Sequence, residues 1–136
     1  MLRVLICGGR DYTDFGVIKA ALEHWGGAGA IELVIHGDAG EVDDATGEVV
    51  RGADKFGGRA AGELGIPVQP VPADWALYGK AAGSLRNQRM LDEYRPNLCL
   101  AFPDPESRGT WDMVRRARKA GVETRVKRFD ADGWYD

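Results

Sequence analysis

Apolar residues along this chain gather into five short runs, and the stretches between them carry apolar positions at helical rather than continuous spacing. Leu2 to Cys7 is a nearly unbroken apolar run, the pattern of a strand buried on both faces. Ile31 to Ile35, Val68 to Val71, Leu98 to Phe102 and Val122 to Phe129 read as four further strands, the third of them flanked by prolines. Thr13 to Trp25 predicts the first helix, with Val17, Ala21, Leu22 and Trp25 on one face, Thr13 or Asp14 as its cap and the Gly26–Gly27 pair as its stop. Gly52 to Leu64 reads as a helix ended by Gly65 with Pro67 beyond. Ala82 to Tyr94 closes before Pro96, and Thr110 to Ala120 stops at Gly121.

Strand and helix alternate throughout. That pattern predicts an α/β fold: a Rossmann-like parallel sheet of about five strands, joined by right-handed crossovers, with helices on both faces. No repeat or linker interrupts it, so residues 1–136 read as a single domain. The one break is the segment 38–50, DAGEVDDATGEVV, which is acidic and weakly periodic and reads as a long excursion between a strand and the next helix.

Composition narrows the class. The chain has 136 residues, 44% of them hydrophobic, enough for one domain with a sizeable core. No stretch approaches the roughly 18–20 consecutive apolar residues of a membrane helix. The opening MLRVLICGG is too short for a signal peptide and leads straight into a turn, so a cytoplasmic protein is expected. Cys7 and Cys99 both sit within apolar strands. They are too few for a disulfide framework or a zinc site and read as buried thiols. A net charge of −3 and a pI near 5.4 speak against a protein that coats duplex nucleic acid. The basic residues gather in RGADKFGGR and RRARK, which leaves room for a local anion pocket.

In a doubly wound sheet, ligands bind beyond the carboxyl ends of the strands. After the first strand come Gly8, Gly9, Arg10 and Asp11, either a plain turn or a place where backbone approaches a ligand closely before a helix N-terminus. The G-x-G-x-x-G dinucleotide spacing is absent. After the second strand come His36 and Gly37, the histidine being either a donor to phosphate or ribose or a hydrogen-bonded structural residue. The excursion returns through Arg51, Gly52 and Asp54. The guanidinium suits a phosphate, and the carboxylate suits ribose hydroxyls or a helix N-terminus.

After the third strand, Asp74, Trp75, Tyr78 and Lys80 combine rings that can stack on a base with a cation, or form a loop pinned to the core by Trp75. The next helix bears Arg86, Asn87 and Arg89. After the fourth strand, Gly109 and Thr110 open the last helix as an anion cradle, with Asp112 in its first turn. Arg115, Arg116, Arg118 and Lys119 read as a solvated face. Asp43 and Asp44 either help hold Mg²⁺ through a bound phosphate or form a solvated acidic loop. No nucleophile set or metal-ligand cluster is visible, and no cofactor is expected beyond that Mg²⁺.

Taken together, GGRDYTD, VIHG, RGAD, ADWALYGKAAGSLRNQRML and AFPDPESRGTWDMVRRARKAG span nearly the whole chain. In this order the chain resembles the YspA-type members of the SLOG superfamily, relatives of the cytokinin-activating phosphoribohydrolases and of DNA-processing protein A. The resemblance implies a Rossmann-like sheet that binds nucleotides or nucleotide-derived ligands, often as a homodimer. It also implies that Arg86-Asn87-Gln88-Arg89-Met90 matches the phosphoribohydrolases' Arg-Lys-x-x-Met helix, with Asn87 in place of Lys. Their Pro-Gly-Gly-x-Gly-Thr-x-x-Glu loop is partly kept. Gly109 and Thr110 remain, Asp104-Pro105-Glu106-Ser107 replaces the double glycine, and Met113 stands where the catalytic Glu belongs. Asp112 is one residue early, about 100° away around the helix, which speaks against N-glycosidic hydrolysis. Most relatives also lack the 38–50 excursion.

The leading expectation is a nucleotide-binding sensor, sequestering protein or regulatory module. Phosphate would rest on Gly8, Gly9, Gly109 and Thr110, with Arg10, Arg51, Lys80 and Arg86 neutralising it and Asp54 or Asp112 orienting the ribose. The alternatives are a nucleotide N-glycosidase using Arg86 with Asp112 or Asp11, and a single-stranded nucleic-acid binder using Trp75, Tyr78 and the basic helix.

Overall fold

The computed structural model describes residues 1–135. In chain order these form β1 (Leu2–Gly8), α1 (Phe15–His24), β2 (Ile31–His36), β3 (Glu41–Val42), β4 (Val49–Arg51), α2 (Ala53–Glu63), β5 (Val68–Pro70), α3 (Trp75–Tyr78), α4 (Ala82–Tyr94), β6 (Leu98–Phe102), α5 (Arg108–Lys119) and β7 (Glu123–Val126). Five strands make one parallel sheet in the order β5-β2-β1-β6-β7. The protein is therefore α/β with a Rossmann-like sheet, as the alternation predicts.

The apolar run of β1 is explained by its central place. Val4 and Ile6 point into one core with Ile18, Leu22 and Phe56 of α1 and α2. Leu5 and Cys7 point into a second core with Met90 of α4 and with Met113 and Val114 of α5. Helices cover both faces, so neither parity of the strand meets water. The chain runs outward from β1 through β2 to β5, then crosses back to lay β6 on the other side of β1. Connections from β1 and β6 thus diverge, and a crevice opens between them at the carboxyl ends.

Differences from the sequence reading have local causes. The 38–50 excursion holds an antiparallel hairpin, β3–β4, whose turn is tied by Asp43 Oδ1 accepting from the Ala45 and Thr46 amides at 2.8 and 3.1 Å. Its strands are two and three residues long, too short to show a period. The last strand stops at Val126 rather than Phe129, because its pairing with β6 ends at Ala101↔Val126. Beyond that point the chain folds back on itself, Lys127 bridging Trp134 and the Tyr135 amide donating to the Val126 carbonyl at 2.8 Å. The cap of α1 is Asp14, which accepts from the Val17 amide at 3.2 Å, so this helix begins at Phe15. Cys7 and Cys99 are buried free thiols with their sulfurs 3.9 Å apart across β1 and β6. The mutual hydrogen bond and burial push the Cys7 thiol well above its ordinary range.

α2 lies close on the sheet because its inner face is small. Ala53, Gly57, Ala60 and Ala61 are buried there, and a β-carbon at Gly57 would come within 2.9 Å of Ile6. Gly62 on the same helix has open space around it. Replacing an interior helical glycine by alanine gains up to about 1 kcal/mol of propensity. Gly62→Ala is therefore expected to stabilise the protein by up to about that amount, whereas Gly57→Ala is expected to destabilise it despite the same propensity gain. Urea unfolding of the two variants checks this, and equal shifts of the same sign would contradict the close approach.

Candidate functional site

A cavity of about 660 Å³ occupies the crevice between β1 and β6. Its floor is the end of β1, with Cys7, Gly8 and Gly9, and Met90 of α4 beneath. Arg10 and Asp11 form one rim, the loop 104–108 another, and Asp54, Arg86, Asn87, Gly109 and Thr110 close the inner wall. Of the residues expected from sequence, the fold brings together Gly8, Gly9, Arg10, Asp11, Asp54, Arg86, Asn87, Gly109 and Thr110.

The α5 end of the cavity presents hydrogen-bond donors that the protein leaves unmet. A helix's first amides have no partner within the helix. Here no side chain caps them, because the hydroxyl of Ser107, at the capping position, accepts instead from the Asp104 amide at 2.6 Å. Thr110 in that first turn is 3% exposed, and its hydroxyl has no hydrogen-bond partner among the described residues. A buried hydroxyl left unpaired costs roughly 1–3 kcal/mol.

Asn87 joins this helix end to α4. Its amide nitrogen donates to the Gly109 carbonyl at 3.3 Å and to Asp112 at 3.0 Å, and its oxygen accepts from Arg86 Nε at 3.0 Å. An amide both donates and accepts; a lysine there would have no acceptor to offer Arg86. Arg86 also donates through Nη1 to the Gly37 carbonyl, so its guanidinium is fixed from two sides at the cavity wall.

Asp54, at the start of α2, is 5% exposed and accepts from the Ala39 amide at 3.2 Å. Burial pushes its carboxyl up to about 6, against the opposing pull of the Arg86 charge and of the Ala39 and Gly37 amides. His36, at the end of β2, is also buried and lies outside the cavity lining. Its Nδ1 accepts from the Asp38 amide at 2.9 Å, and burial lowers it to about 4, which makes it a neutral structural histidine.

Gly8 and Gly9 are required by packing. A β-carbon on Gly8 would collide with Ala53 and the Phe102 carbonyl, and one on Gly9 would collide with the Asp104 carboxylate. That carboxylate covers the side of Gly9 where a phosphate was expected to rest. Asp104 lines the site although the sequence assigns it no role there, as do Pro105, Glu106, Ser107 and Arg108 of the same loop. The signal was their place just past the strand across the switch point.

The remaining expected residues lie elsewhere. Arg51 points out of the hairpin and pairs with Glu41 at 3.0 Å. Gly52 has φ 109° and packs against Gly40 where the hairpin strands meet. Asp74 caps α3, accepting from the Leu77 amide at 3.0 Å, while Trp75 and Lys80 are exposed away from the cavity. Asp112 stands outside the lining, facing Asn87 and Arg116, the latter at 2.9 Å. Burial alone would raise it, but the bonds from Asn87 and Arg116 outweigh this and hold it below the ordinary carboxylate range.

Among the described residues, no three His, Cys, Asp or Glu side chains converge on a metal position, and no helix is long and apolar enough to cross a membrane.

The fold and this crevice define an α/β protein of Rossmann-like type with its cavity at the strand-order reversal. No protein-family model matches the chain. It is 37% identical over 125 residues to the Gene 61 protein of Mycobacterium phage D29, a match covering 90% of this chain and 93% of that protein. The chain belongs to the family of that phage protein.

Asp54 and His36 set opposing pH dependences. Asp54 binds its proton more tightly when folded, so its contribution is full below about pH 4 and is lost as pH rises through about 6. His36 binds its proton less tightly when folded, so its contribution is full above about pH 6.5 and is lost as pH falls towards 4. Each amounts to a few kcal/mol at most, at about 1.4 kcal/mol per pKa unit. Relative to the parent, Asp54→Asn is expected to lose stability on acidification from pH 6.5 to 4, and His36→Gln to gain it. Urea unfolding across that range checks this, and difference curves of the same sign would refute it.

Proposed function

We propose that this protein binds a nucleotide or another phosphorylated ribose ligand in the β1–β6 cavity, as a sensor, sequestering or regulatory module of the SLOG, YspA-like type. The observation that carries the reading is the unpaired, buried Thr110 hydroxyl at the uncapped N-terminus of α5. A phosphate seated there would satisfy the hydroxyl and the first-turn amides together. Arg86, fixed by Asn87 and Gly37, and the rim residues Arg10 and Arg108 supply countercharge. The module acts in the cytoplasm as a homodimer or higher homo-oligomer, an assembly that would cover the exposed Trp75, Leu77, Tyr78 and Leu85.

The N-glycosidase alternative draws less from the site, since Asp112 is engaged by Arg116 and Asn87 outside the cavity and Met113 is fully buried. Nucleic-acid binding draws less too, since Arg115 and Arg116 are both paired with Asp112.

A thermal-shift screen of nucleoside mono-, di- and triphosphates, with mass analysis of each hit, tests the proposal. Ligand at a hundredfold above Kd is expected to add about 2.7 kcal/mol of stability and to be recovered intact. Thr110→Val removes the orphaned hydroxyl at constant shape. It is expected to stabilise the free protein by about 1 kcal/mol and to weaken ligand binding about tenfold. Silence across the panel, or a Thr110→Val variant that binds every hit unchanged, would overturn the reading.

A further inference from the structure

The cavity is electrically two-ended. The α5 end carries the helix terminus, Thr110 and Arg86, while the end over β1 carries the carboxylates of Asp11 and Asp104, with Arg10 exposed at the rim beside them. Asp104 is held in place by a tight turn in which its amide donates to Ser107 Oγ at 2.6 Å and the Ser107 amide donates back to its carbonyl at 3.2 Å. So fixed, its carboxylate lies on the open side of Gly9, filling the space that a β-carbon there would claim. Burial raises this carboxyl above the ordinary range, the Asp11 amide opposes that, and the Asp11 carboxylate adds to it. Among the described residues, no side chain donates a hydrogen bond or an ion pair to Asp104 or Asp11.

An ionised carboxylate only accepts hydrogen bonds. A pair of them facing a cavity is satisfied by a ligand that brings donors, and it repels one that brings a second phosphate. The ribose hydroxyls are the donors that a phosphorylated ribose carries nearest its phosphate. Resting on the reading of the cavity as a phosphorylated-ribose site, we propose that Asp104 is its specificity-determining residue. It accepts from the vicinal hydroxyls of the ribose and bars a second phosphate from the turn at Gly9. The loop that would otherwise cradle phosphate with glycines is here one that reads the sugar.

Isothermal titration with AMP, 2′-deoxy-AMP, ADP and inorganic phosphate separates the parts. The parent protein is expected to prefer AMP to 2′-deoxy-AMP by about tenfold or more, the scale of a hydrogen bond to a charged group, and to prefer AMP to ADP. Asp104→Asn fills the same space without the charge. It is expected to lose most of the ribose preference while binding 2′-deoxy-AMP no more weakly than the parent. Asp104→Gly uncovers Gly9 and is expected to raise the affinity for ADP relative to AMP. Thr110→Val, by contrast, is expected to weaken every phosphorylated ligand and leave these ratios alone. A parent that binds AMP and 2′-deoxy-AMP equally, or an Asp104→Asn variant that keeps the full preference, would overturn the role of Asp104 and leave the phosphate site standing. A folded parent that binds neither AMP nor phosphate would overturn the phosphate reading, and this one with it.

Discussion

The strand β1 must be buried on both of its faces, and the arrangement of the functional end follows from how the chain meets that demand. Two helices cover one face and two the other, and the chain does this by laying parallel strands on both sides of β1, so that the order of strand addition reverses between β1 and β6. The reversal leaves the carboxyl ends of these two strands uncovered by any crossover. The walls of the crevice are then set by close backbone approaches. The Ala53 amide donates to the Gly9 carbonyl at 3.0 Å and the Gly52 amide to the Tyr12 carbonyl at 2.8 Å, drawing the start of α2 onto the end of β1. The Gly9 amide donates to the Phe102 carbonyl at 3.0 Å, carrying the contact across to β6.

Polar burial is concentrated at this end of the sheet. Among the described residues the buried polar side chains are His36, Asp54, Asn87 and Thr110, and each lies at or just past a strand's carboxyl end or on a helix facing it. Buried polar groups are tolerated where partners meet them. Three of the four are met by the protein: His36 by the Asp38 amide, Asp54 by the Ala39 amide, and Asn87 by Arg86, Asp112 and the Gly109 carbonyl. Thr110 alone is left over, at the helix end whose capping serine has been drawn away by Asp104. The protein thus surrounds one unpaired hydroxyl with polar groups that are all met.

The sheet was legible in the sequence because each of its strands is an apolar run bounded by turn residues, and burial on two faces writes an unbroken signal. The bounds of α4 and β6 coincide with the reading, since Pro96 and the surrounding polar residues punctuate them sharply. The hairpin was not legible because its strands bury almost nothing. The end of β7 was not legible because it depends on the length of β6, a neighbour far away in sequence. At the site, residues placed directly after β1 and at the start of α5 came together, since topology alone puts them at one sheet end. Arg51, Asp74, Trp75 and Lys80 carried suitable chemistry, but their surroundings turn them elsewhere: an ion pair with Glu41, the cap of α3, and an exposed helix beyond the sheet edge. Asp104 is marked in the sequence only by its place just past β6, since its contact lies in the space above Gly9, which a linear pattern does not record.

The distribution of charge is what favours the proposed binding role over catalysis. A carboxylate that is to act on a substrate must face it with its proton free to move. Asp112 is engaged by Asn87 and Arg116, which hold its carboxyl below the ordinary range and so favour the ionised form. Asp54 has the raised pKa that lets a carboxyl hold a proton, yet it is engaged by the backbone turn after β2. Arg10, Asp11, Glu106 and Arg108 stand at the rim without ion-pair partners among the described residues, open to solvent. Under the proposed binding role, the groups fixed inside would set the shape and one anion position, and the free groups at the edge would set which ligand is admitted.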